Sequence, residues 1–314
     1  MKMKDERLIV KVAKLYYLEG WTQSQISKKV GLSRPIISKM IKEANENNIV
    51  EIYIKDETAH TVDLERILEN EYGLNEVFVL AASDGNSELV RRNLGQVAAT
   101  YLSKRLDDVN KIGISWGKSI HTLIEELRNQ EKNHIHVTPL IGGMGQRYVH
   151  YHSNHLTFQL AEKLNTSSSY LYAPAIADTV ELKNQLCETE DISKVLNEGR
   201  NVDIAVVGIG VPTKMNTMAE LGYLSEQDIL TLGDSGSIGD LNSNFFDIDG
   251  IEIDHPVNQR RIGLNLEDIK KIPEVIAIAE GVHKSGSLQV ALKARYINTL
   301  FIDANTAEKL INSD

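Results

Sequence analysis

Residues 111–129, KIGISWGKSIHTLIEELRN, change character halfway along. KIGISW is a short apolar run of the kind that fills a buried strand, and SIHTLIEELRN reads as a helix. Between them lies Gly117-Lys118-Ser119. A strand, then small and hydroxyl residues, then a helix start can bind an anion through backbone N–H groups and the helix dipole. Ser115 and Ser119 add hydroxyl donors. A tight strand-to-helix turn with no ligand accounts for the same residues. It is not a Walker loop, because only WGKS matches the end of that pattern and its upstream glycine is missing.

The same alternation extends outward. EVFVLAA, IHVTPLI, VDIAVVGIG, VIAIAEG and TLFID read as strands, and LVRRNLGQVAATYLSK, LTFQLAEKL, SLQVALKA and ANTAEKLI as helices. A helix at about 61–73, with Leu64, Ile67, Leu68 and Tyr72 as its apolar positions, precedes them. Repeated strand–helix units imply a mainly parallel, doubly wound α/β domain, in which ligands bind at the carboxyl ends of the strands. Three further loops fall there. Gly142-Gly143 follows HVTPLI and either admits a ligand to the backbone or makes a bend. Asp240 lies in the glycine-rich loop GDSGSIGDL, where its carboxylate can accept sugar hydroxyls or cap a turn. Lys284 in EGVHKSGS sits near a helix start, where a cation is unfavourable; it points to an anionic partner or is a solvated lysine.

Residues 1–50 carry a different pattern. RLIVKVAKLYYLE (7–19) places Leu8, Val12, Leu15 and Tyr16 on one helical stripe, ended by Gly20. Thr22 and Gln25 form a capping box for TQSQISKKV, whose Ile26 and Val30 face inward. Gly31 suits a turn with positive φ. Ser33 is the next N-cap, Pro35 fits the first helical turn, and RPIISKMIKEAN buries Ile37, Ile41 and Ala44. Two helices, a glycine turn and a capped basic helix make a helix-turn-helix. Arg34, Pro35, Ser38 and Lys39 are expected in the DNA major groove, with Lys28, Lys29 and Lys42 on phosphates. A helical hairpin that touches no DNA is the alternative. IVEIYI (49–54) reads as a short strand or wing.

Charge supports the division. Residues 1–50 hold ten basic and five acidic residues, +5, whereas the remainder holds 24 against 39, −15. A basic module on an acidic body suits phosphate attraction at one end. The one cysteine, Cys187, excludes an intrachain disulfide and a cysteine-built zinc site. With no apolar run of membrane length and no signal-peptide core, a cytoplasmic protein without membrane partners is expected.

The motif order YYLEGWTQSQISKKVGLSRPIISKMIKEA, GISWGKSI, PLIGG, AVVGIG, GSIGDLNSNFFDIDG, RRIGLNLEDIKKIPEVIAIAEGVHK and NTLFIDANTAEKL resembles the SorC family of bacterial sugar-responsive regulators across nearly the whole chain. The resemblance implies a helix-turn-helix domain at 1–55. It implies a Rossmann-like effector-binding and oligomerisation domain at 56–314, related to ribose-5-phosphate isomerase without its catalysis. It further implies a homodimer or homotetramer on a palindromic double-stranded operator and a phosphorylated sugar or polyol effector. Ser115, Gly117, Lys118 and Ser119 match the family's sugar-phosphate loop, Gly142 and Gly143 its second glycine loop, Asp240 its GD motif, and Lys284 a phosphate-contacting lysine. One member of the family holds its sugar aldehyde covalently through a lysine before the paired glycines; here that position is Ile141. A Schiff base needs an amine, so non-covalent binding is expected, and deoxyribose 5-phosphate is not the first choice.

The competing reading is a sugar-phosphate isomerase or deaminase with an accessory DNA-binding module. It needs a general base with a matched acid, for which Asp240 and Glu280 are weak candidates. No catalytic residue, cofactor or metal is assigned. His150, His152 and His155 in VHYHSNH have irregular spacing and no accompanying acid, which fits a polar helix start better than a metal site.

Overall fold

The computed structural model describes residues 2–47, 49–50, 59–81, 87–143, 148–213, 216–220 and 223–313. The chain divides into two compact units, Met1–Ala59 and His60–Asp314.

In the first unit, helix Lys2–Ala13 runs into a π-helical turn, Lys14–Leu18, followed by helices Gln23–Val30 and Arg34–Glu46. Val12, Leu15, Ile26, Ile37 and Ile41 form its core, with Ile9, Ala13 and Ala44 beside it. Leu8 and Tyr16, expected on the inner stripe, are only half-buried, and Ile9 and Ala13 take the inner places. The wider π turn breaks the 3.6-residue period after Ala13, which accounts for Tyr16; Leu8 lies in the regular helix before it. Thr22 and Gln25 close the expected capping box, and Gly31 has φ +73°. Ser33 stands at the N-cap of the third helix, but its side chain makes no capping bond. Pro35 occupies N2 and has no N–H to offer, which removes one of the two donors a cap can serve. Of the segment expected as a strand or wing, 51–54 lie outside the described residues.

The second unit is a parallel sheet with helices on both faces. Its strands are β1 Glu76–Leu80, β2 Lys111–Ile114, β3 His136–Pro139, β4 Ser167–Ser168, β5 Ile204–Gly210, β6 Gly239–Leu241, β7 Asn244–Phe246, β8 Glu274–Ala279 and β9 Thr299–Asp303. The order β1-β9-β8-β5-β2-β3-β4 is parallel throughout, and β6–β7 is an antiparallel hairpin attached to β5. Alternate residues of the central strands enter different cores. Ala205, Val207, Ala277 and Leu300 pack in one, while Ile204, Val206, Ile276 and Phe301 pack in the other with Leu94, Leu123 and Leu160 from three helices. Burial on both faces is why these strands read as unbroken apolar runs.

Strand β4 and the β6–β7 hairpin were not among the expected strands. GDSGSIGDL is not one loop: Gly233 and Asp234 end the helix Glu226–Asp234, and Gly239, Asp240 and Leu241 are β6. Asp240 is therefore held on a strand, opposite Gly210. From β2 the chain continues outward to β3 on one side, and from β5 to β8 on the other. The sheet thus has a switch point between β2 and β5, where a crevice opens at the carboxyl ends of the strands.

Candidate functional site

A cavity of about 600 Å³ lies at that crevice. The segment after β2 supplies Ser115 to Ser119, the hairpin supplies Asp240, Asn242 and Ser243, and the segment after β8 supplies Glu280 to Lys284. Arg91 reaches it from helix Ser87–Arg105, and Asp303 from the end of β9.

Helix Lys118–Glu126 starts at the cavity. Its N-cap, Gly117, has φ +125° and no side chain to cap the first turn, a conformation L side chains rarely adopt. The first-turn N–H groups there suit an anion. Both serine hydroxyls, by contrast, are already committed. Ser115 donates to Asn242 Oδ1 at 2.7 Å, and Ser119 donates to Glu280 Oε2 at 3.0 Å. The Lys118 ammonium pairs with Glu220.

Glu280 is the electrostatic centre of the site. It is buried, accepts from Arg91 Nε at 2.7 Å, and lies 3.8 Å from Lys284 Nζ. Burial alone would raise its pKa, but Lys284 and Arg91, with the hydrogen bonds from Arg91 and Ser119, together outweigh it and hold the carboxyl below its usual range. The lysine is thus paired only loosely, at a distance an incoming anion can compete for.

Asp240 faces the opposite balance. Burial pushes its carboxyl up to about 6, against the hydrogen bonds from Asn216 and the Ser243 backbone and the charge of Lys284. Asn216 Nδ2 donates to Asp240 Oδ1 at 3.0 Å and to the Val211 carbonyl at 2.8 Å. Gly210 makes room for the pair, because a Cβ there would lie 2.2 Å from Asp240 Oδ1. A carboxyl titrating near 6 can either accept from a ligand hydroxyl or donate to one.

Asn242 and Ser243 are the two turn residues of the β6–β7 hairpin, both left-handed, with φ +51° and +58°. A two-residue turn of this hand matches the strand twist. It also presents Ser243 Oγ to Trp116 Nε1 at 2.9 Å, so the hairpin tip and the β2 loop brace each other.

The cavity therefore collects Ser115, Gly117, Lys118, Ser119, Asp240 and Lys284 from the sequence-based set. Gly142 and Gly143 are not among its described lining residues. Their N–H groups donate to the carbonyls of Ile262 and Ala173, and a Cβ at Gly142 would lie 2.5 Å from the Pro174 carbonyl oxygen. Close backbone packing fits the bend reading at Gly142, whereas a Cβ at Gly143 would meet nothing nearer than 3.9 Å. Ile141 is fully buried. Sequence reasoning missed Arg91, Asn216, Asn242 and Ser243, and took Glu280 only as a weak acid–base candidate. The polar run Asn242-Ser243-Asn244 between Leu241 and Phe245 was a usable hairpin signal; Arg91 had none, since its partner is 189 positions away.

His150 lies in the short 3₁₀ helix Val149–Tyr151, and His152 and His155 lie at the start of helix Ser153–Leu164. Among the described residues no group of three or more His, Cys, Asp or Glu side chains is arranged to hold a metal. No described helix is long and apolar enough to cross a membrane. In the first unit Arg34, Pro35, Ser38, Lys39, Lys28, Lys29 and Lys42 are all exposed. Lys39 and Lys42 make one-turn ion pairs with Glu43 and Glu46 at 3.6 and 3.5 Å.

Residues 56–312 match the family described as "Putative sugar-binding domain". The sorbitol operon regulator of Klebsiella pneumoniae is 32% identical over 98% of both chains. The deoxyribonucleoside regulator of Bacillus subtilis is 28% identical over 99% of both. Among solved structures, a DeoR family transcriptional regulator from Listeria monocytogenes is 40% identical, covering 80% of this chain and 99% of that one, with TM-score 0.76. The full-length SorC structure from K. pneumoniae, at 30% identity, covers 98% of this chain and 100% of its own, also with TM-score 0.76. These relatives are named as regulators of transcription, and nothing among them favours the enzyme reading. The chain belongs to this sugar-binding-domain family of SorC/DeoR-type transcriptional regulators.

Proposed function

We propose that the protein regulates carbohydrate-metabolism genes by binding operator DNA through residues 1–55, under control of a phosphorylated sugar or polyol held non-covalently by residues 56–314. The observation that carries the ligand class is the meeting, in one cavity, of an uncapped helix start with Lys284 and Arg91. In this reading the phosphate sits on the helix N–H groups and draws Lys284 from Glu280, while Asp240 and Asn216 take hydroxyls on the far side. Ile141 offers no amine for covalent capture. The effector domain is read as relating to ribose-5-phosphate isomerase in fold alone.

For the DNA half, the support is a three-helix unit with a left-handed glycine between its second and third helices and an exposed basic face on the third. We read this unit as a helix-turn-helix, with Arg34, Pro35, Ser38 and Lys39 in the major groove and Lys28, Lys29 and Lys42 on phosphates. The regulator is proposed to act in the cytoplasm as a homodimer or homotetramer on a palindromic operator, with effector binding shifting the balance between assemblies of different operator affinity.

The test is operator binding by the full chain, followed by fluorescence anisotropy on DNA from upstream of its own gene, with sugar and polyol phosphates added singly. One of them is expected to change the affinity at least tenfold in the wild type and less than twofold in Lys284→Ala. Turnover of a ribose- or glucosamine-type phosphate by the purified protein would overturn the reading.

A further inference from the structure

A second cavity, of about 580 Å³, shares no lining residue with the first. Its walls come from helices Val180–Glu188 and Glu190–Arg200 and from the segment 252–268. Arg261 lines it. This arginine is 5% exposed, its Nε and Nη1 have no hydrogen-bond partner, and among the described residues it makes no ion pair. The backbone on either side is fixed: Arg261 bridges Ile176 and Gly263 bridges Ile141.

Glu252 and Asp268 are near enough to attract the charge, but neither hydrogen-bonds Nε or Nη1. Asp268 accepts from Arg200 Nε at 3.0 Å, and Asp254 accepts from Gln259 Nε2 at 2.6 Å. Glu252 is partly buried, and that burial pushes its carboxyl up, against the charges of Arg261 and Lys183. The preceding residue in the chain shows the contrast. Arg260 places Nε and Nη1 on the carbonyls of Pro256 and Ala177. Buried guanidinium groups are ordinarily satisfied in this way or by a carboxylate, since an uncompensated buried cation is strongly unfavourable. Burial pushes the Arg261 guanidinium down to about 10, against the pull of Glu252 and Asp268, so it still carries its charge at neutral pH.

We propose that this cavity is a second ligand site, separate from the effector cavity, which takes a small oxyanion, carboxylate or phosphate, against Arg261. Arg200, paired with Asp268, and Lys183 line the same cavity, and Lys183 adds a cation beside Arg261. The volume falls in the range of small-molecule sites.

Cys187 lines this cavity and is the one cysteine of the chain, so it reports occupancy directly. The experiment follows alkylation of Cys187 in the full chain by uncharged iodoacetamide, read by mass spectrometry. Inorganic phosphate and citrate are added separately and compared with chloride at matched ionic strength. At least one is expected to slow labelling about fivefold or more. Protection by phosphate alone assigns a phosphate ligand, and protection by citrate alone assigns a carboxylate. The protection is expected to survive in Lys284→Ala, which disables the first cavity, and to vanish in Arg261→Gln. Should Arg261→Gln not fold, Lys183→Ala is expected to cut the protection by half or more. Labelling that neither anion changes would overturn the proposal, as would equal protection in Arg261→Gln. Labelling that varies with protein concentration and not with either anion would overturn it in favour of a second copy of the chain.

Discussion

Asp240 titrates near 6 where it is buried, against about 4 in an unfolded chain. Between those values the native state keeps a proton that the unfolded chain has released. Stability therefore falls as pH rises through about 4 to 6, and the loss is complete above that window. The displacement corresponds to on the order of 2–3 kcal/mol. Asp240→Asn is expected to melt higher than the wild type at pH 7.5, with the difference closing toward pH 4; a difference independent of pH would refute the assignment. The same variant is expected to bind effector more weakly, since its amide cannot match both protonation states. Gly210→Ala probes the position from the other strand. Its Cβ falls 2.2 Å from Asp240 Oδ1, so effector affinity is expected to drop at least tenfold while the far-ultraviolet spectrum is kept, as calorimetric titration can check. Lys284 and Asp240 were legible because each sits where a chain-local rule makes it conspicuous, a cation near a helix start and an acid among glycines. Glu280 was nearly invisible. Its importance comes from Arg91, Ser119 and Lys284 converging on it, which only the folded sheet brings about.

At the scale of elements, capping and turns decide more than apolar pattern. Thr22→Ala removes a closed capping box and is expected to destabilise the first unit by about 1 kcal/mol, seen as a lower melting midpoint of that unit by circular dichroism. An unchanged midpoint would mean the box contributes nothing. Arg34→Ala with Lys39→Ala removes only exposed side chains, one of them in a surface ion pair of little consequence. This double variant is expected to keep its melting midpoint and to weaken operator binding roughly 10- to 100-fold; undiminished binding would sink the recognition-helix assignment. The central strands and the helices between them were legible because burial on both faces or on one stripe writes a period into the chain. The β6–β7 hairpin was not, because its three-residue strands are too short to show one and lie beside glycines that read as loop. Tyr16 was misplaced because the π turn after the first helix leaves no mark in the apolar spacing.

For the whole molecule, the charge asymmetry has a measurable consequence. If the proposed DNA-binding role of residues 1–55 holds, a +5 segment on a −15 remainder places phosphate neutralisation at that end. Affinity is expected to fall steeply and linearly on logarithmic axes as salt rises, with a shallower slope for Lys28→Ala plus Lys29→Ala; equal slopes would remove those lysines from the interface. Phosphate sensing is proposed at the cavity at the switch point between β2 and β5. It is tested most directly by a thermal-shift screen of the full chain against sugar and polyol phosphates, each beside its unphosphorylated counterpart, in wild type and Lys284→Ala. A ligand selective for the folded state raises the melting temperature by mass action. A rise is expected with at least one phosphorylated compound, none with its unphosphorylated counterpart, and the rise is expected to be lost in Lys284→Ala. A rise with unphosphorylated sugars alone, or an equal rise in Lys284→Ala, would contradict it.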